Sequence, residues 1–291
     1  MPGQGSGSGT GVGADPGGWP SETALRETLC EIGRRVWARG YVAASDGNFS
    51  ARLGPAGSEA GGLALCSPTM VSKGFMEPDD LVVVSLSGGS VVRAAAGKRA
   101  TSELPMHLEC YRRRPDVAAV VHAHPPHAVA WAISGLALPK CVMPEAELFL
   151  GELPVVPYAT TGTAALPAAL SPFLAHHDAF LLASHGALAV GVDPLAAYQR
   201  METIEQVCQV LILARQLGGW KAVSADHTRE LLALRAKLGM RGIKSRATLP
   251  DAELCRAGVA GEQGLTDPDG PQPPDRTAIE AVVRRVLSRR L

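Results

Sequence analysis

TSELPMHLECYRRRPDVAAVVHAHPPHAVA, Thr101–Ala130, is the stretch whose reading decides the fold. Val117, Val120 and Val121 favour a buried strand, and on a strand residues two apart share a face. His122 and His124 therefore project side by side, and Pro125-Pro126 ends the strand just beyond them. Two neutral imidazoles on one face suit a borderline-soft cation such as zinc, with a third ligand from elsewhere and one position left open for chemistry. The pair alone reads equally as two satisfied polar residues at a strand end. Upstream, the spacing predicts a helix over Ser102–Arg113 with Glu103 in its first turn, where the helix dipole by itself favours a carboxylate.

A second segment, FLLASHGALAVG (Phe180–Gly191), breaks that tie. There a lone histidine, His185, interrupts another apolar strand and is followed by glycine. Together the segments offer three histidines from two strands, the number a catalytic zinc site needs. The order Gly47-Asn48, Ser67-Pro68-Thr69, Thr101-Ser102-Glu103, His122-Ala123-His124, Pro157-Tyr158-Ala159-Thr160 and His185-Gly186 resembles the class II aldolase/adducin family, in particular its L-fuculose-phosphate aldolase branch. The resemblance covers Glu22 to Gly218.

It implies an α/β fold, three-layer α/β/α with a central largely antiparallel sheet, assembled as a homotetramer with sites between subunits. It implies Zn²⁺ on His122, His124 and His185, with Glu103 as the proton-transfer residue beside the metal. It also implies a substrate phosphate held by Gly47, Asn48, Thr69, Thr101 and Ser102. The expected reaction is retro-aldol cleavage of a ketose 1-phosphate, such as L-fuculose or L-rhamnulose 1-phosphate, to dihydroxyacetone phosphate and lactaldehyde. Burial is expected to raise the Glu103 pKa for that work. Epimerases related to the family tend to carry aspartate at the Glu103 place, so glutamate tilts the reading toward carbon–carbon cleavage. An epimerase or dehydratase on the same metal, and a non-catalytic adducin-like binding protein, are the rival readings.

Three departures from the family pattern matter. Met70 stands where glycine is frequent, and Thr101 where serine is usual. The aldolase branch protonates the leaving aldehyde with a tyrosine from a neighbouring subunit, and Lys140–Glu147 contains none. Glu145, Tyr158 or a C-terminal residue are the substitutes open to it. Lys73 reads as a solvated cation and His127 as a solvated or supporting residue.

The rest of the chain frames this domain. The 291 residues carry no net formal charge, so composition offers no partner role with nucleic acid. At 46% hydrophobic but only 4% aromatic, the core must be built from Ala, Val and Leu. Ser21–Arg39 predicts a helix buried through Leu25, Leu29, Ile32, Val36 and Trp37. Leu81–Leu86 and Ser90–Ala94 predict a hairpin, and Leu195–Leu217 and Ser224–Leu238 two more helices. Six cysteines without CxxC spacing read as reduced thiols of a cytoplasmic protein. No membrane span is expected.

Residues 1–20 read as a disordered Gly/Ser-rich arm, 21–255 as the catalytic domain and 256–274 as a flexible linker. In 275–291, Ile279, Val282, Val283, Val286, Leu287 and Leu291 form one apolar stripe, opposite Arg284, Arg285, Arg289 and Arg290. This tethered amphipathic helix resembles an encapsulation peptide. It implies a bacterial microcompartment shell protein as partner and the compartment lumen as location; a helix that packs back on its own domain and a basic interfacial helix that binds membrane are the rival readings.

Overall fold

The computed structural model describes residues 18–239 together with Pro250, Leu254 and Cys255. The arm before Gly18, the linker 256–274 and the helix expected over 275–291 lie outside the described residues.

One eight-stranded sheet organises the chain: β1 (Asn48–Arg52), β2 (Leu63–Cys66), β3 (Val82–Ser85), β4 (Val91–Arg93), β5 (Ala119–Ala123), β6 (Val155–Val156), β7 (Ala179–Leu182) and β8 (Gly186–Gly191). Their order across the sheet is β4-β3-β2-β1-β5-β8-β7-β6. Every adjacent pair is antiparallel except β6 with β7. The largely antiparallel sheet implied by the resemblance is the one observed.

Strand alternation divides the core into two. On one face Phe49, Ala51, Val121, Leu181 and Ala189 pack under α1 (Glu22–Ala38), α3 (Pro126–Ser134) and α5 (Pro194–Gln216). On the other, Val82, Val120, Phe180, Leu182 and Leu188 pack under α2 (Leu104–Arg113) and α4 (Ala165–Leu170). Neighbours such as Val120 and Val121 thus serve opposite layers, as a period of two demands. A sixth helix, α6 (Ala225–Lys237), is capped by Ser224, whose hydroxyl accepts from the His227 N–H. The long helix α5 starts at Asp193, whose carboxylate accepts from the Ala196 N–H at 2.7 Å.

Several expectations are corrected. The apolar run Phe180–Gly191 is two strands, with His185 in the tight turn between them. Ser184 there adopts φ 54°, and such a left-handed residue ends a strand. His124 sits one residue past β5 and Glu103 one residue ahead of α2. A helix, α3, begins at Pro126, where the double proline read only as a stop; proline at N1 is pre-organised for a helix start. Trp37 is half-exposed, edge-on to Phe75 at 5.3 Å. Cys141 is disulfide-bonded to Cys255, with Cα atoms 5.4 Å apart, whereas Cys30, Cys66, Cys110 and Cys208 are buried free thiols. The 114-residue separation left that pairing without a spacing signature.

Lys73 is buried rather than solvated. Its ammonium donates to the carbonyls of Ser45 (2.9 Å) and Val71 (2.7 Å), and burial pushes its pKa down to about 8 against the pull of Asp46.

Arg114 is a further buried cation. Arg114 forks onto Asp116, donates to Asp178 at 2.8 Å and reaches the Leu174 carbonyl at 2.9 Å. Its removal leaves buried Asp178 with the longer 3.5 Å contact to Arg200. Arg114→Met is therefore expected to cost about 3–5 kcal/mol, the range for breaking a buried pair, read as a lower urea midpoint with an unchanged slope.

Candidate metal centre

The site lies at one end of the three central strands. Antiparallel pairing sets Asn48 of β1 opposite His122 of β5, and His122 opposite Leu188 of β8. His124 follows at once, its backbone N–H held by the Tyr41 carbonyl at 2.8 Å. His185 arrives from the β7–β8 turn. The three rings meet with centroids 4.6 to 5.0 Å apart, and one nitrogen from each lies within 4.8 Å of the others.

Gly186 makes the approach possible. A Cβ there would sit 2.6 Å from His124 Cδ2, 2.7 Å from the Ala123 carbonyl and 3.1 Å from His122 Cε1. Gly47 does the same from the residue just ahead of β1. Its φ of +71° favours glycine, and a Cβ would stand 2.9 Å from the His122 carbonyl oxygen.

The donor set fits a divalent cation. His122 Nδ1 donates to the Ala187 carbonyl at 2.9 Å, so its Nε2 carries the free lone pair. That Nε2 lies 3.1 Å from His124 Nε2. Two imidazoles on one tetrahedral zinc have nitrogens about 3.4 Å apart, given bonds of about 2.0–2.1 Å. His124 turns its other nitrogen toward the Asp46 carboxylate, 3.5 Å away. Burial first, then repulsion from the neighbouring rings, pushes His124 and His185 down to about 4, which keeps both neutral and able to ligate.

Glu103 faces the cluster. Its Oε2 is 3.3 Å from His122 Nε2 and its Oε1 is 3.5 Å from His185 Nε2. Oε1 is buried without a hydrogen bond among the described residues, an orphaned acceptor aimed into the space the imidazoles share. Burial raises its pKa, but His122, the Asn48 amide and His185 outweigh it and hold the carboxyl well below the usual range. The expectation of a raised pKa is thus reversed: Glu103 rests as a carboxylate, ready to accept a proton.

The residues expected around the phosphate converge in part. An antiparallel bridge between Pro68 and Ala100 sets Thr69 opposite Arg99, whose carbonyl accepts from the Thr69 N–H at 3.0 Å, and Thr101 opposite Ser67, whose carbonyl accepts from the Thr101 N–H at 3.1 Å. Ser102 is exposed and Thr69 half-buried, while the Thr101 hydroxyl accepts from the Glu103 N–H at 3.3 Å. Asn48 is 3% exposed and donates through Nδ2 to Glu103 Oε2 at 2.8 Å. Met70 has φ 58°, which explains why glycine suits this place. His127 belongs to the packing of α3 on α5, its ring 2.7 Å from buried Glu205. Glu145 and Tyr158 are both exposed.

Sequence reasoning missed Asp46 and three residues behind Asn48, namely His107, Ser50 and Tyr111. Glu103, His107 and Tyr111 recur every four residues, and that single-face polar spacing was a usable signal.

The chain is similar to known proteins over most of its described residues. The model of the class II aldolase and adducin N-terminal domain matches residues 27–212. The 3-oxo-tetronate 4-phosphate decarboxylase of Pectobacterium atrosepticum is 31% identical over 72% of this chain and 94% of its own length. The L-fuculose phosphate aldolase of Methanococcus maripaludis is 33% identical over 64% of this chain and 96% of its own. The crystal structure of YgbL from Klebsiella pneumoniae superposes with a TM-score of 0.65 at 28% identity, covering 72% of this chain and 99% of that one. No helix among the described residues is long and apolar enough to cross a membrane.

Gly186→Ala is expected to spread the histidines and to cut bound metal at least tenfold, the lower end for disturbing the support of a ligand set. Metal analysis after dialysis checks this, with far-ultraviolet circular dichroism confirming that the sheet persists.

Proposed function

The chain belongs to the class II aldolase and adducin N-terminal domain family, and on that premise we propose that it is a divalent-metal-dependent lyase breaking a carbon–carbon bond beside the carbonyl of a phosphorylated sugar. The observation that carries this reading is the placement of Glu103: a carboxylate held in its ionised form, with a buried oxygen free of hydrogen bonds among the described residues and facing three convergent imidazoles. We assign the ion as Zn²⁺, which suits three nitrogen ligands with an open position. When bound, it supplies Lewis-acid polarisation of the substrate carbonyl and its neighbouring hydroxyl.

The protein's own residues supply the rest. Gly47, Thr69, Thr101 and Ser102, with the second amide hydrogen of Asn48, receive the phosphate and so orient the reacting carbons. As the bond breaks, the hydroxyl of the departing fragment gives up its proton and becomes the aldehyde, while the electron pair of the bond passes toward the carbonyl and leaves an enediolate that takes up one proton in turn. Glu103 moves the proton at that carbon, accepting it in one direction and returning it in the other. For L-fuculose or L-rhamnulose 1-phosphate the products are dihydroxyacetone phosphate and lactaldehyde.

A second reading is decarboxylation of a phosphorylated 3-oxo acid, favoured by the absence of tyrosine from Lys140–Glu147. A carboxylate departs as carbon dioxide with no proton to be moved on oxygen, whereas an aldehyde departs only as its hydroxyl gives up a proton to an acid–base group. The decarboxylase among the relatives supports it. The homotetramer and the shell partner of 275–291 are proposed on the sequence reading alone, as are the domain limits 1–20, 21–255, 256–274 and 275–291.

The test is to offer both ketose 1-phosphates and a 3-oxo acid 4-phosphate to zinc-loaded protein, following dihydroxyacetone phosphate and carbon dioxide separately. One product is expected, abolished by chelator and restored by zinc. Glu103→Gln should lower kcat by about 10²–10⁴-fold while leaving bound zinc unchanged. Turnover by chelated protein, or an unimpaired Glu103→Gln, would refute the reading.

A further inference from the structure

Behind Glu103 a line of polar side chains runs into the core between β1 and α2. Asn48 Oδ1 is 2.6 Å from His107 Nε2, His107 Nδ1 is 2.7 Å from Ser50 Oγ, and Ser50 Oγ is 2.7 Å from the Tyr111 hydroxyl. All four are buried, His107 and Ser50 completely. Such a row inside a core is costly unless every member is satisfied.

Counting donors gives the row a direction. An ionised carboxylate only accepts, so the Asn48 atom 2.8 Å from Glu103 Oε2 is its amide nitrogen. The amide oxygen then faces His107 and must receive a hydrogen from Nε2. A neutral ring with Nε2–H has a lone pair on Nδ1, which receives the Ser50 hydroxyl hydrogen. Ser50, its one hydrogen spent, accepts from Tyr111. Burial and the nearby His122, against the pull of Glu103, push His107 down to about 3, so the ring stays neutral.

We propose that His107 is a positioning residue for the reaction: with Ser50 and Tyr111 it forms a one-way hydrogen-bond chain that locks the Asn48 amide with its N–H toward Glu103. The reversed chain would set the Asn48 oxygen against the carboxylate. Without His107 the Asn48 oxygen loses its buried donor, only the carboxylate still orients the amide, and the donor that aims the free oxygen of Glu103 at the cluster is no longer held from behind. The inference rests on the role given to Glu103 under the proposed function, but the chain itself can be read without turnover.

The test uses full-length, zinc-loaded protein with ¹⁵N-labelled histidine. The nitrogen spectrum should show His107 as the neutral Nε2–H tautomer across pH 6–8, a readout that mere packing would not select. His107→Leu should lower kcat by about 10- to 100-fold with bound zinc unchanged. His107→Gln, whose amide N–H can take the place of Nε2–H, should recover most of that loss. In an Asn48→Ala background His107→Leu should cost under about twofold more, because a residue acting through Asn48 couples to it.

An Nδ1–H tautomer would overturn the chain, as would an equal loss from His107→Leu in both backgrounds. If His107→Leu does not fold, the tautomer and His107→Gln decide the matter, with unimpaired His107→Gln and Nε2–H supporting the chain. If the wild-type protein turns over none of the substrates, the lyase reading falls and the tautomer alone judges the chain.

Discussion

The register between β1 and β5 is the constraint on which the site depends. It sets Asn48 beside His122, and the side-chain period of two sends both toward the α2 layer, where Glu103 waits. A slip of one residue would turn His122 into the opposite core and face Val121 toward Glu103. That register is enforced from both sides. Phe49, Ala51 and Val121 fill one apolar layer, while Val120 and Leu188 fill the other. The metal ligands are thus placed by the packing of residues that never touch the metal.

A second feature follows from that geometry. The face that β1 turns toward α2 is not apolar: Asn48, Ser50 and Arg52 all point into it and are all buried. Arg52 meets the cost by donating to the carbonyls of Val117, Gly61 and Tyr111, with its guanidinium 4.7 Å from the Tyr111 ring. Tyr111 therefore joins two networks, one structural around Arg52 and one directed at Glu103. Burial holds His107, His124 and His185 neutral while the surrounding donors hold Glu103 charged. Those opposed protonation states, side by side, are what a proton-transfer site beside a Lewis acid requires.

Much of this was legible in the chain itself. Val117–Val121 and the spaced residues of α1 and α5 announced their elements through periodicity, because each buries one continuous face. The three histidines and Glu103 stood out because they interrupt apolar runs or open a helix. What escaped reading depended on tertiary contact. Lys73 looked like a surface cation, since nothing local reveals that the Ser45 and Val71 carbonyls enclose it. The turn at Ser184 was hidden within an apolar run that continues straight through it. The Cys141–Cys255 bond joins points too distant in sequence for spacing to reveal. His107 was passed over as an ordinary helix residue, although its place one turn after Glu103 was in plain view.

The central claim is that His122, His124 and His185 together hold one divalent ion in front of Glu103. Anomalous diffraction from crystals of zinc-loaded protein, recorded above and below the zinc absorption edge, tests it most directly. The account predicts one strong peak bonded to a nitrogen of each histidine at about 2.0–2.1 Å, with Glu103 beside it. An empty cluster in crystals whose zinc content is proven, or zinc bound at other side chains, would contradict it.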